Sequence, residues 1–111
     1  MIYDKDNQKA VVLNRIKSWP GITFPGGHVE YGESFTLAAI REAYEETGLV
    51  IDKIIPCGVV NWADKHTGKR YIEFLYKSCD FHGKIKTSTE EGDICWMNYT
   101  DIKNQYIEIL K

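Results

Sequence analysis

Apolar and polar residues change their spacing several times along the chain, and each change marks a predicted element. The alternating "KAVVLNR" reads as a strand, paired back across the Asp- and Asn-rich turn "YDKDNQK" to the stub Met1 to Tyr3. "SWPGITFPGG" reads as loop with a short extended piece around Phe24. From about Ser34 to Thr47 the apolar spacing becomes helical, with Leu37, Ile40, Ala43 and Tyr44, joined by Ala39, on one stripe. Ser34 suits the N-cap and Gly48 the left-handed position past the last turn. A strand over Ile54 to Trp62, the turn "ADKHTGK", the alternating strand "RYIEFLYKSC", the turn "FHGK", the short strand "DICWMNY" and the amphipathic helix "TDIKNQYIEILK" complete the chain. The pattern predicts an α/β protein with a mixed sheet and two helices.

The polar side of the first helix is unusual. Arg41, Glu42, Glu45 and Glu46 crowd it, and the pairs Glu42/Glu45 and Glu42/Glu46 stand three and four residues apart, where like charges repel. Two readings fit such a cluster. In one it is a solvated face on which Arg41 relieves Glu45 at i+4. In the other it is a site for a hard cation, because clustered carboxylate oxygens are what Mg²⁺ or Mn²⁺ prefers and the cation cancels the repulsion. Spacing alone leaves both open. The loop "PGGHVEYGES" ahead of the helix favours the second, since Gly26, Gly27 and Gly32 let backbone approach the acidic face without interference from Cβ atoms.

Composition narrows the classes. With 111 residues, 43% of them hydrophobic, the chain is expected to form one domain over residues 1 to 111. A net charge of −2 with both signs interspersed offers no broad basic surface, so duplex nucleic acid and anionic membranes are not expected partners. Cys57, Cys79 and Cys95 are odd in number and lack CxxC or Cys/His spacing, which predicts buried free thiols in a reducing compartment. No apolar run approaches the roughly 20 residues of a membrane span and "MIYDKDNQ" does not resemble a signal peptide, so a cytoplasmic location is expected.

From Gly27 to Leu49 the sequence resembles the Nudix box, G-x5-E-x7-R-E-U-x-E-E-x-G-U, where U is a bulky aliphatic residue. Gly27, Glu33, Arg41, Glu42, Glu45, Glu46, Gly48 and Leu49 stand in register, and Ala43 at the first U position is the departure, so eight of nine specified positions match. The resemblance implies a Nudix-type α/β/α sandwich, here shortened at both termini, that hydrolyses a nucleoside diphosphate linked to another moiety with Mg²⁺, or Mn²⁺ in its place, as cofactor. It implies Glu42, Glu45 and Glu46 as metal ligands with the Gly26 carbonyl, Arg41 as the residue that holds Glu45, and Glu33 as a buttress of the loop or a contact to water on the cation. Gly27 would lie against the diphosphate. Glu42 within the box and Glu91 in "TEEGDICW" are the candidates for the carboxylate that takes the proton, Glu91 also as a further ligand, whereas Glu90 reads as a solvated loop acid.

Outside the box, "NWADKHTGKRYIEFLYKS" and "TSTEEGDICWM" are similar to segments of MutT/MutX-type proteins, which implies 8-oxo-dGTP as first-choice substrate, cleaved to 8-oxo-dGMP and pyrophosphate. The alternatives are another dNTP, a nucleotide sugar or capped RNA, or a weakly active Nudix-like domain that only binds. Arg15 could meet a terminal phosphate or be a plain surface arginine. Trp19 in the loop "SWPG" is the aromatic expected to stack a base, while Trp62 and Trp96 read as core. His28, His66 and His82 read as surface residues. The short first strand leaves part of one edge of "KAVVLNR" uncovered, which predicts a homodimer or another covering chain.

Overall fold

The computed structural model describes residues 1–16 and 21–110, with side chains as far as residue 105. Its elements run β1 (Tyr3–Asp4), β2 (Lys9–Arg15), β3 (Gly21–Thr23), α1 (Phe35–Thr47), β4 (Leu49–Ala63), β5 (Arg70–Gly83), β6 (Ser88–Thr89), β7 (Gly92–Asn98) and α2 (Tyr99–Leu110). β2 is the centre of the larger sheet. It pairs antiparallel with β7 from Lys9↔Asn98 to Arg15↔Gly92, and on its other edge with β1 at Tyr3↔Ala10 and with β3 at Leu13↔Thr23. β4 and β5 form a separate two-stranded ribbon, tied to this sheet by the parallel bridge Ile2↔Ser78, which makes the whole mixed.

Strand alternation on β2 creates two cores. Val11 and Leu13 point to one side and pack with Ala43 of α1 and with Leu49, Ile51 and Ile94, while Ala10 and Val12 point to the other and pack with Ile102 of α2. A strand covered by helices on both faces reads as a continuous apolar run, which is why "AVVL" has no polar position. Val11 and Val12 are fully buried, worth about 1.5–3 kcal/mol each. The result is an α/β/α sandwich. Among the described residues no helix is long and apolar enough to cross a membrane.

Several expectations need correction. The edge of β2 is not left open, because β3 takes Leu13 to Arg15 and the Val11 N–H donates to the Ile2 carbonyl at 3.0 Å. The apolar line of α1 that meets the core runs through Ile40, Ala43 and Thr47, where the sheet approaches closely and small residues fit, leaving Leu37 and Tyr44 60% and 56% exposed at its flanks. β4 begins directly after the helix at Leu49 instead of at Ile54, since Leu49 and Ile51 are core residues. "FHG" continues β5 to Gly83, because Phe81 packs on Trp96 with ring centroids 5.7 Å apart. The three cysteines are exposed, not buried: Cys57 and Cys79 sit on the ribbon, and Cys95 alternates with the buried Ile94. Trp96 packs in the core as expected, but Trp62 is 49% exposed and stacks on Tyr71 near the ribbon's turn.

Gly92 marks the closest backbone approach in the larger sheet. A Cβ there would collide with the Asn14 carbonyl oxygen, with the carbonyl carbon at 2.8 Å. Gly92→Ala should therefore destabilise by roughly 1–3 kcal/mol through forced separation of β7 from β2. Denaturant unfolding checks this, and an unchanged midpoint would mean that the strands yield freely.

Candidate active site

The helix α1 is fixed at both ends. Ser34 Oγ accepts from the Leu37 N–H at 3.1 Å, and Gly48 takes φ 82°, returning its N–H to the Tyr44 carbonyl at 2.8 Å. Thr47 is fully buried, its hydroxyl donating to the Ala43 carbonyl at 2.5 Å and accepting from the Leu49 N–H at 3.1 Å. From 41 residues away Lys86 adds its Nζ to the Glu45 carbonyl at 2.8 Å, favourable beside the negative end of the helix dipole. No local sequence pattern pointed to Lys86.

Arg41 is the hub of the acidic face. Its Nε donates to Glu33 Oε2 at 2.6 Å and Nη2 to Glu33 Oε1 at 2.9 Å, a two-pronged pairing that suits a guanidinium. Nη1 donates to Glu42 Oε1 at 2.9 Å and Glu45 Oε2 at 3.1 Å, and Nη2 reaches the His28 carbonyl at 3.1 Å. The hydrogen bonds that Arg41 donates to Glu33, then those to Glu42 and Glu45, raise its pKa, and Arg41 holds the Glu33 carboxyl below the usual range. Glu33 also closes its own turn, accepting from the Glu30 N–H at 3.1 Å. This face is thus no free solvated surface: Glu33 and Glu42 side chains are only 15% and 17% exposed, whereas Glu45 is 55% exposed. The His28 carbonyl is a contact that the sequence reading did not anticipate, since backbone acceptors leave no mark in residue identity.

The glycine loop lies directly on this face. A methyl at Gly27 would fall on the Glu42 carboxylate, 2.6 Å from Oε1, so glycine lets the loop come this near without displacing that side chain. The Gly26 N–H donates to Glu46 Oε2 at 3.4 Å. Burial pushes the Glu46 carboxyl up to about 7, the charges of Glu42 and Glu91 adding to it and the Gly26 N–H opposing it. Glu91 arrives from the turn before β7, with Arg15 Nη1 donating to its Oε2 at 3.0 Å. Arg15 therefore sits on Glu91, at the end of β2. Trp19 lies outside the described residues. Glu90 and His28, His66 and His82 are exposed, His82 with Nδ1 2.8 Å from Asp52 Oδ2.

The donors suit a hard divalent cation in kind. Glu42 and Glu91 bring carboxylate oxygens close enough for their charges to be felt at Glu46, with the Gly27 backbone against the Glu42 carboxylate. Among the described residues no three acidic, histidine or cysteine side chains converge on one point, and Arg41 holds an oxygen of both Glu42 and Glu45. Binding of a cation by this group therefore requires side-chain rotation at Glu42 and Glu45, with the backbone already in place.

The family model for the NUDIX domain matches residues 1–110. Among curated proteins, an uncharacterized Nudix hydrolase, YvcI, of Bacillus subtilis is 34% identical over 83 residues, with 72% of this chain and 52% of that protein covered. An ADP-ribose pyrophosphatase of Methanocaldococcus jannaschii is 29% identical over 90 residues, covering 80% and 53%. The chain spans about half the length of these relatives. Among solved structures, a MutT protein from Bacillus halodurans aligns with a TM-score of 0.82 at 23% identity, over 94% of this chain and 68% of that one. A MutT Nudix hydrolase from Burkholderia pseudomallei aligns at 0.74 and 20% identity, over 87% and 78%. At these identities the structural likeness is a likeness of fold.

Proposed function

The chain belongs to the Nudix family, and from that premise we propose that it is a cation-dependent hydrolase of a nucleoside diphosphate linked to a further group. The observation that carries this reading is the contact of Gly27 with the Glu42 carboxylate, which brings loop backbone onto an acidic helix face. A diphosphate laid over that loop would meet backbone and carboxylates together. A divalent cation there would neutralise the phosphate oxygens and ease ionisation of the attacking water.

The chain's own residues have separable tasks in this proposal. Glu42, Glu45, Glu46 and Glu91, with the Gly26 carbonyl, would hold the cation, Glu42 and Glu45 after turning away from Arg41. Arg41 and Glu33 lock the loop from His28 to Glu33 against the helix, so that the backbone at Gly26 and Gly27 keeps its position. Glu91, half exposed and on a turn separate from the helix, is the residue we assign to take the proton from water, with Glu42 as the other candidate. The nucleoside end has a place to go. A cleft of about 820 Å³, with Gly26 and Gly27 in its wall, is lined by Phe24, Phe35, Ile54, Phe74 and Tyr76, within the roughly 300–1,000 Å³ of small-molecule sites.

As substrate we propose 8-oxo-dGTP, cleaved to 8-oxo-dGMP and pyrophosphate. Oxidation at C8 turns N7 of guanine from an acceptor into an N–H donor, so a pocket acceptor facing N7 is satisfied by the oxidised base and left unpaired by dGTP. The similarity of "NWADKHTGKRYIEFLYKS" and "TSTEEGDICWM" to MutT/MutX-type segments supports that choice. ADP-ribose is the second reading, favoured by the Methanocaldococcus jannaschii relative. Rates for 8-oxo-dGTP, dGTP, ADP-ribose, a dinucleoside polyphosphate and capped RNA, measured side by side with Mg²⁺, distinguish them. We expect kcat/KM for 8-oxo-dGTP at least roughly tenfold above dGTP. Equal values would replace the oxidised purine with an ordinary dNTP, and a clear preference for ADP-ribose would replace it with the second reading.

A further inference from the structure

The carboxylate of Glu91 comes from a turn of its own, and its placement depends on β2. The Glu91 carbonyl accepts from the Ile16 N–H at 2.9 Å, its N–H donates to Thr89 Oγ1 at 3.2 Å, and its Oε2 accepts from Arg15 Nη1 at 3.0 Å. Next to it, Gly92 lies so close to Asn14 that a Cβ would strike that residue's carbonyl. The turn is thus docked by backbone on the end of β2, and the Arg15 to Glu91 pair adds a side-chain contact between them. Exposure within that pair is unequal. The Arg15 side chain is 17% exposed and that of Glu91 50%, so the arginine is the fixed member and the glutamate the one that reaches outward.

From this geometry we propose that Arg15 is a positioning residue, which holds the Glu91 carboxylate toward Glu46 instead of gripping a terminal phosphate of the substrate. The inference rests on the proposed nucleotide hydrolysis and deepens it by giving Glu91 a fixed direction. A phosphate-gripping arginine presents its guanidinium outward to substrate, whereas here Nη1 donates to a carboxylate and only 17% of the side chain is exposed. The influence of the Glu91 charge on Glu46 is consistent with a carboxylate turned toward the helix. Without the arginine, one oxygen of Glu91 loses its anchor, and small displacements of a catalytic group cost rate more than binding.

Two measurements test the assignment. The first is steady-state kinetics with the preferred nucleotide at saturating Mg²⁺ for Arg15→Ala, Arg15→Lys, Glu91→Gln and the double variant Arg15→Ala/Glu91→Gln. Expected are a kcat lowered roughly tenfold or more in Arg15→Ala with KM within about twofold, substantial recovery in Arg15→Lys, and a double variant no slower than Glu91→Gln alone, because residues acting as a unit are not additive. A raised KM with kcat unchanged, or additive losses in the double variant, would overturn the proposal in favour of a phosphate contact. The second needs no turnover. Hydrogen exchange at the Ile16 amide, which donates to Glu91, should speed up at least roughly tenfold in Arg15→Ala as the turn loosens, and stay near the wild-type rate in Arg15→Lys. An unchanged Ile16 rate in Arg15→Ala overturns the anchoring role even for an inactive enzyme. A wild-type protein inert toward every nucleotide, with Ile16 exchange responding as expected, would remove the proposed function and leave the anchor standing.

Discussion

Glu46→Gln should leave the fold intact, cost roughly a hundredfold or more in kcat, and make the cation-free protein no less stable. The last point follows from the sign of the pKa shift. Burial raises the Glu46 carboxyl from 4.5 to about 7, so between those values the folded chain keeps a proton that the unfolded chain gives up. Its stabilising contribution is present in acid and is lost as pH rises through 7. Glutamine imitates the protonated form at every pH. In chelator at pH 8 the variant should therefore melt at the same temperature as wild type or higher, while the rise in melting temperature that Mg²⁺ gives the wild type shrinks, because a charged oxygen donor is gone. Wild-type rates with an undiminished Mg²⁺ response would put the cation somewhere other than beside Glu46. A variant that melts well below wild type in chelator would instead show that Glu46 is structural.

Arg41→Lys is the second large effect expected, a loss of roughly tenfold to a hundredfold in kcat together with a lowered melting temperature. Lysine keeps the charge but cannot serve Glu33 with two parallel bonds while also reaching Glu42, Glu45 and the His28 carbonyl, as the guanidinium does. Four carboxylates stand within ion-pair distance of this one side chain, Glu30 included at 3.6 Å, so a lysine that reaches only some of them leaves the others facing like charge. The loop from His28 to Glu33 should loosen, and with it the backbone at Gly27. If Arg41→Lys lost activity while hydrogen exchange along residues 26–33 stayed at wild-type rates, the loop would be held by something else, and Arg41 would act on the reaction directly.

Much of the site was legible because its determinants are local. The cap at Ser34, the left-handed Gly48 and the i+4 reach of Arg41 to Glu45 all lie within one helix, where residue spacing fixes geometry. The glycines ahead of the helix announced a close approach, and Gly27 makes one against Glu42. What the sequence hid is long-range. Lys86 on the helix end and Arg15 on Glu91 pair across 41 and 76 residues, and nothing in the flanking residues specifies such partners. The sheet edges were misjudged for a related reason: the three-residue β3 leaves little periodicity to read, yet it takes the edge of β2 expected to be open. Thiol burial failed through alternation, since Cys95 follows the buried Ile94 and a one-residue step on a strand changes faces.

Cation dependence of nucleotide hydrolysis tests the central claim most directly. In one experiment the protein is given 8-oxo-dGTP and ADP-ribose with Mg²⁺, with Mn²⁺, and with excess EDTA. The acidic face under the glycine loop predicts turnover of at least one of the two with either cation, none above background in EDTA, and recovery when Mg²⁺ is restored. Undiminished turnover in excess EDTA would contradict it.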